Sequence, residues 1–266
     1  NATGNLTFTT ADLNGDGFLD VLCNDVNGYE LSWFKNENNS EIFGDSKAII
    51  KDIKGINDVH SADIDSDGDE DTVFVSGLNN ILGWYENLDG NGSYGEQQLI
   101  SAQGNRFDTL KITDIDNNGS LDIIVNSIID DTIWIFKNTD GLGNFILHQS
   151  IANSSENARS MKVYDVDNDN YVDIVMLENF GDKMVWFKNI DGQGNFGVGQ
   201  VITEAIDDLD DYDFSDLDND GDLDIVISAP FSWLENLGNN GNFSVPQTIQ
   251  TSESVKRLKL FDIDSD

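Results

Sequence analysis

The sequence is short of several things that commonly announce a function. It has one cysteine, Cys23, two histidines, His60 and His148, two prolines, and 14 Lys and Arg residues in a chain of 266. A lone thiol excludes an internal disulfide framework, and no CxxC or Cys/His cluster offers a zinc site. Apolar runs such as Ala48 to Ile50 or Ile123 to Val125 fall far short of the ~20 residues that span a bilayer, so no membrane insertion is expected. HExxH, GxSxG and P-loop strings are missing as well, and no catalytic constellation is expected. The basic shortage stands against 50 Asp and Glu residues, giving a formal charge of −36. Such a field repels nucleic acid and anionic membranes and calls for bound cations. What is present suffices for a core: 38% of residues are hydrophobic and 10% aromatic, which excludes wholesale disorder. The chain has no initiating Met or leader and stops partway through a recurring pattern. It therefore reads as a piece of a longer protein with further domains.

That pattern is a repeat. An acidic motif starts at Asp12, Asp63, Asp114, Asp165, Asp216 and Asp262; the first four intervals are 51 residues and the last is 46. Trp33-Phe34-Lys35-Asn36 keeps the same beat with Trp84-Tyr85-Glu86-Asn87, Trp186-Phe187-Lys188-Asn189 and Trp233-Leu234-Glu235-Asn236. In the third unit, Trp134-Ile135-Phe136-Lys137-Asn138 sets its Trp one residue early. A Gly-rich turn ending in an aromatic follows, as in Gly92-Ser93-Tyr94-Gly95. The spacing predicts four strands per unit, in the first roughly Leu6–Ala11, Phe18–Cys23, Glu30–Phe34 and Lys47–Lys51. No sustained 3.6-residue apolar period predicts a helix. Four short strands per unit of this size are the signature of a propeller blade, so the fold class is an all-β β-propeller with a single domain over residues 1–266. Five blades and the start of a sixth are expected to be part of a six- or seven-bladed ring. The third-strand Trp residues read as packing between blades, ahead of a carbohydrate-stacking role.

The acidic loops carry the clearest chemistry. Oxygens at positions 1, 3, 5 and 9 and a main-chain carbonyl at position 7 suit a hard cation that takes 6–8 oxygen ligands. The loops supply Asp12, Asn14, Asp16, Phe18 and Asp20; Asp63, Asp65, Asp67, Asp69 and Asp71; and Asp114, Asp116, Asn118, Ser120 and Asp122. Two more complete loops give Asp165, Asp167, Asp169, Tyr171 and Asp173, then Asp216, Asp218, Asp220, Asp222 and Asp224; a partial sixth gives Asp262, Asp264 and Asp266. Position 6 must take positive φ, which Gly supplies and Asn170 tolerates. Calcium fits better than magnesium, about one ion per blade and five complete sites. An EF-hand needs Glu at position 12 and flanking helices, but position 12 is Cys23, Phe74, Val125, Met176 and Ile227, in predicted strands. The strings Gly90-x-Gly92-x-x-Gly95 and Gly192-x-Gly194-x-x-Gly197 match a dinucleotide fingerprint only as text, since no helix follows.

On the D-x-[DN]-x-D-G-x-x-D loop, the W-[FY]-[KE]-N strand and the G-x-G-x-[FY]-G turn, the chain resembles the FG-GAP/VCBS repeat family of β-propellers, also found in integrin α-subunit heads. Variants such as Ala158-Arg159-Ser160 resemble repeats of secreted and surface proteins from marine Bacteroidetes. The resemblance implies a calcium-stabilised propeller in an extracellular protein, and leaves the ligand open because propellers host many functions.

One further feature bears on a ligand. In a propeller, the first strand of each blade lines the central channel, and alternation puts the residues three and five before each leading Asp on one side. These are Thr7 and Thr9, Asp58 and His60, Thr109 and Lys111, Ser160 and Lys162, Asp211 and Asp213, and Arg257 and Lys259. His60, Lys111, Lys162, Arg257 and Lys259 are thus ligand candidates for an acidic or neutral glycan, or for a surface protein. The plainer alternative is a solvent-filled channel whose mixed charges balance. The functional expectation is a non-enzymatic module for adhesion or glycan and protein recognition. The alternatives are a polysaccharide-processing enzyme of the propeller lyase type and a purely structural spacer.

Overall fold

The computed structural model describes residues 6–260, apart from 26–29, 38–41, 52, 153–157, 179–182, 205–208, 210, 239, 250–254 and 256. The loop residues Asp262, Asp264 and Asp266 lie outside the described residues. The described residues hold twenty strands and no helix. They form five separate four-stranded sheets, each an antiparallel meander in chain order, as expected of propeller blades.

The chain divides into two compact units, residues 1–152 and 153–266. Three blades make up the first: β1 (Leu6–Ala11) to β4 (Lys47–Lys51) with β2 at Asp20–Asp25 and β3 at Glu30–Phe34; β5 (Ile56–Ala62), β6 (Asp71–Ser76), β7 (Ile81–Tyr85) and β8 (Gln98–Ser101); and β9 (Phe107–Thr113), β10 (Asp122–Ser127), β11 (Thr132–Asn138) and β12 (Phe145–Ala152). The second unit holds β13 (Ala158–Tyr164), β14 (Asp173–Glu178), β15 (Lys183–Phe187) and β16 (Gln200–Thr203), then β17 (Tyr212–Ser215), β18 (Asp224–Ser228), β19 (Phe231–Leu234) and β20 (Gln247–Thr248). The expected bounds of β1, β3 and β4 agree with the structure. The second strand starts at Asp20 instead of Phe18, because the left-handed Gly17 (φ 86°) keeps the chain turning through position 8.

Burial follows from blades stacking face to face. β6, β10 and β18 are buried at every residue, so their centres, residues 73–75, 123–125 and 225–227, are continuous apolar runs instead of alternating ones. In the first unit one cluster joins Leu22, Leu31 and Trp33 to Ile56, Val59 and Phe74, and another joins Val73 and Trp84 to Leu110, Ile123 and Phe136. The second unit packs Val175 and Trp186 against Tyr212, Phe214 and Ile225. Trp33, Trp84 and Trp186 are 5%, 2% and 2% exposed, as packing residues should be.

Each of these indoles lies beneath a glycine of the next blade. A Cβ on Gly92, Gly143 or Gly241 would come within 2.1 Å of Trp33, 2.3 Å of Trp84 or 1.9 Å of Trp186. These glycines are also left-handed, with φ of 74°, 73° and 68°. The loop glycine Gly68 has φ 100°, but a Cβ there would meet nothing within 4 Å. Gly143→Ala is therefore expected to lower unfolding free energy by about 3 kcal/mol, overpacking added to backbone strain, and Gly68→Ala by about 1 kcal/mol, strain alone. Urea unfolding in the presence of calcium measures both; equal losses would contradict the close Trp84 contact.

Candidate metal centre

Each acidic loop joins the first two strands of a blade and is folded by its own carboxylates. The position-1 Asp accepts two amides: Asp63 takes those of Asp67 (3.1 Å) and Gly68 (3.2 Å), and Asp165 those of Asp169 (3.0 Å) and Asn170 (2.7 Å). Asp12, Asp114 and Asp216 repeat the pattern. The position-5 side chain accepts the position-7 amide, from Phe18, Asp69, Ser120, Tyr171 and Asp222 in turn. Position 6 is left-handed in every loop, Asn170 included (φ 69°). Position 4 is left-handed as well, at Gly15, Ser66, Asn117, Asn168 and Asn219. Two such residues two apart curl the chain tightly enough to aim several oxygens at one point.

The position-9 aspartates do something the sequence does not announce. Asp71 is fully buried; one oxygen accepts the Ile64 amide (3.0 Å) and the other the Asn87 amide (2.8 Å). Asp122, Asp173 and Asp224 hold the equivalent pairs of amides. The motif Asn then reaches to the preceding blade: Asn87 Nδ2 donates to the Leu13 carbonyl (3.0 Å), Asn138 to Ile64 (2.8 Å) and Asn236 to Val166 (3.2 Å). Oδ1 of Asn87 and of Asn138 accepts the amide of the glycine five residues on, Gly92 and Gly143. The separation between Asp and Asn, 16 residues for Asp71, Asp122 and Asp173 and 12 for Asp224, was the available signal.

Positions 1, 3 and 9 converge. Carboxylate oxygens of Asp63, Asp65 and Asp71 lie within 4.8 Å of one another, as do those of Asp114, Asp116 and Asp122, of Asp165, Asp167 and Asp173, and of Asp216, Asp218 and Asp224. Asp67 instead groups with Asp65 and Glu86. The first loop departs: Asn14 stands at position 3 and donates to Asp20 (2.9 Å). Oδ1 of Asp65, of Asp116 and of Asp167 is buried with no hydrogen-bond partner. An unpaired anionic oxygen shielded from water is costly, and a hard cation is the group that satisfies it. The donor set is entirely oxygen, which fits calcium. Positions 1, 3 and 9 would hold the ion, and its charge would offset their mutual repulsion.

Burial sets the protonation of these sites. It pushes Asp71 up to about 7, Asp122 to about 6 and Asp173 to about 7, against the pull of the amides they accept and with the neighbouring loop carboxylates adding to the rise. A pKa raised by folding contributes stability below the ordinary carboxylate range and loses it as pH climbs through 6–7. The metal-free protein is therefore expected to melt at progressively lower temperature from pH 5 to pH 8, whereas the calcium-loaded protein should not. Circular dichroism melts in EDTA and in calcium check this, and a metal-free melting point that rises over the window would contradict it.

The ligand candidates fall in separate units. In the first, His60 lies 3.4 Å from Asp58, and Lys111 donates to the Leu110 carbonyl (3.1 Å). In the second, Lys162 is 2.9 Å from Asp213 and 3.9 Å from Asp211, over the Tyr212 ring, while Arg257 and Lys259 are exposed. Aspartates in or beside the first strands also hold the neighbouring chain: Asp58 accepts the Leu110 amide, and Asp211 and Asp213 accept those of Leu258 and Leu260. A cleft of about 450 Å³ in the first unit is lined by Leu99 to Gln103, Trp134, Phe136, Phe145 and Leu147. Trp134 and Phe136 stack there at 6.5 Å. The one-residue shift of this Trp leaves Ile135 in register with the packing Trp of other blades and brings the indole to the cleft.

Meander blades bearing this loop on their first hairpin place the chain among the β-propellers. The FG-GAP-like repeat family matches it over residues 12–74 and 114–176, so the chain carries FG-GAP-like repeats. No curated protein matches it in sequence. Among solved structures it is similar to an Agrocybe aegerita lectin, in a structure titled for specific recognition of non-reducing terminal N-acetylglucosamine; the TM-score is 0.66 at 18% identity, over 92% of this chain and 66% of that one. It is also similar to part of the Photorhabdus luminescens Tc holotoxin pore, with TM-score 0.50 and 18% identity over 96% of this chain and 12% of that one. At these identities the likeness is one of fold.

Proposed function

We propose that the chain is a calcium-stabilised propeller module of an extracellular or cell-surface protein, and that it recognises a glycan or protein ligand without turning it over. The observation that carries the calcium reading is the buried, partnerless Oδ1 of Asp65, Asp116 and Asp167, one in each of three successive loops. A calcium requirement suits surroundings rich in that ion, since extracellular modules bind it at about 10⁻⁴–10⁻³ M. At a free concentration a hundred times the dissociation constant, each occupied site adds about 2.7 kcal/mol to stability.

For the ligand, a glycan is favoured by the lectin among the structural neighbours and by the half-buried Trp134 beside Phe136 in the 450 Å³ cleft. An indole stacked on an aromatic presents the flat apolar surface that a sugar ring packs against. The first-strand residues His60 and Lys111 in the first unit, and Lys162 in the second, are further places to look, although Lys162 already spends its charge on Asp213. A glycan array probed with the calcium-loaded chain tests recognition. Trp134→Ala is expected to reduce binding at least tenfold if the cleft is the site, Lys111→Ala if the first strands of the first unit are, and Lys162→Ala if those of the second unit are. Binding to no glycan would remove the glycan reading, and shortening of a bound polysaccharide would replace binding with catalysis.

A further inference from the structure

The five loops share a backbone but not a charge. The residue just before the motif Asn that follows the third-strand Trp is Lys35, Glu86, Lys137, Lys188 and Glu235 in turn, and in the first four blades the structure brings it to that blade's own loop. Lys35 Nζ lies 3.3 Å from Asp16 and 3.4 Å from Asn14 Oδ1. Lys137 lies 2.8 Å from Asp116, with only 9% and 10% of the two side chains exposed. Lys188 pairs with Asp167 and is 2.8 Å from Asp169. Glu86 does the opposite, adding a carboxylate to Asp65 and Asp67 with one oxygen of each within 4.8 Å of the others. Among the described residues no Lys or Arg forms an ion pair with the second loop or the fifth.

The lysines do not replace a metal. In the third and fourth loops they reach Oδ2 of Asp116 and of Asp167, whose side chains are 10% and 8% exposed, while Oδ1 of each remains buried and unpartnered. An ammonium on a flexible stem is a point charge that engages one edge of the cluster. It lessens the need for a cation without meeting it. The second loop, with five carboxylates from Asp63, Asp65, Asp67, Asp71 and Glu86, has the whole need unmet.

We infer that this third-strand residue sorts the loops into two classes of calcium site. Glu86 is a ligand from outside the nine-residue loop and makes the second site the tightest, with the fifth, which carries Glu235 in the same register, beside it. Lys35, Lys137 and Lys188 are tethered cations in the field of their loops and make the first, third and fourth sites weak. Calcium affinity follows the count of ligand charges, and an ammonium already paired must give way to the incoming ion. The lysine loops then hold their shape when calcium is scarce, and the glutamate loops depend on it. The inference rests on the calcium reading of the same loops.

Calorimetric titration of calcium into the EGTA-stripped full chain, with bound metal counted independently, tests it. Two phases are expected, with dissociation constants at least roughly tenfold apart. Glu86→Lys should convert one tight equivalent into a weak one, and Lys137→Glu one weak equivalent into a tight one, the total unchanged in each. Should Glu86→Lys fail to fold, the near-isosteric Glu86→Gln is expected to weaken one tight equivalent roughly tenfold. A single class of sites, or an unchanged number of tight equivalents in these variants, would overturn the inference while leaving the calcium reading in place. A chain that takes up no calcium would overturn both.

Discussion

The aspartate at position 9 of each loop is the point on which the structure turns. Asp71, Asp122, Asp173 and Asp224 are 0–1% exposed, and each spends both oxygens on backbone amides, one in its own loop and one at the motif Asn. Those hydrogen bonds weld the loop to the third strand. They do not remove the cost of taking a carboxylate out of water beside two or three others, which is why burial raises the pKa of Asp71, Asp122 and Asp173 so far. A cation resolves the conflict between a hub that must be buried and a charge that resists burial.

The blades are held in register by contacts that start from that hub. The Asn whose amide it fixes extends Nδ2 to a carbonyl in the preceding blade's loop, as Asn87 does to Leu13 and Asn138 to Ile64. Its Oδ1 fixes the glycine that covers the preceding blade's Trp. Metal site, polar latch and apolar contact are therefore coupled in the second and third blades: disturbing a loop loosens the amide of the Asn, and with it the seat of the glycine on the indole. The spacing of the repeat is constrained because all three must be satisfied at once.

Much of this was legible in the sequence. Regular recurrence exposed the blades, the spacing within each unit marked the strands, and the Asp pattern marked the loops. What escaped had weaker local signals. The second strand starts two residues late because loop geometry, not β propensity, sets its first residue at Asp20. The left-handed position 4 was hidden because Ser66, Asn117, Asn168 and Asn219 share no glycine. Asn87, Asn138 and Asn236 were visible as a motif, but their latch depends on a carbonyl some 70 residues away. The Lys and Glu variation inside the motif looks like surface noise until the strand is seen to face the loop.

The most direct test is diffraction from crystals grown in calcium, with the anomalous signal recorded. The account predicts an ion in the loops, with Oδ1 of Asp65, Asp116 and Asp167 about 2.3–2.6 Å from it, the usual calcium–oxygen distance. Loops of the same conformation holding no ion, with those oxygens hydrogen-bonded to water or to the chain, would contradict it.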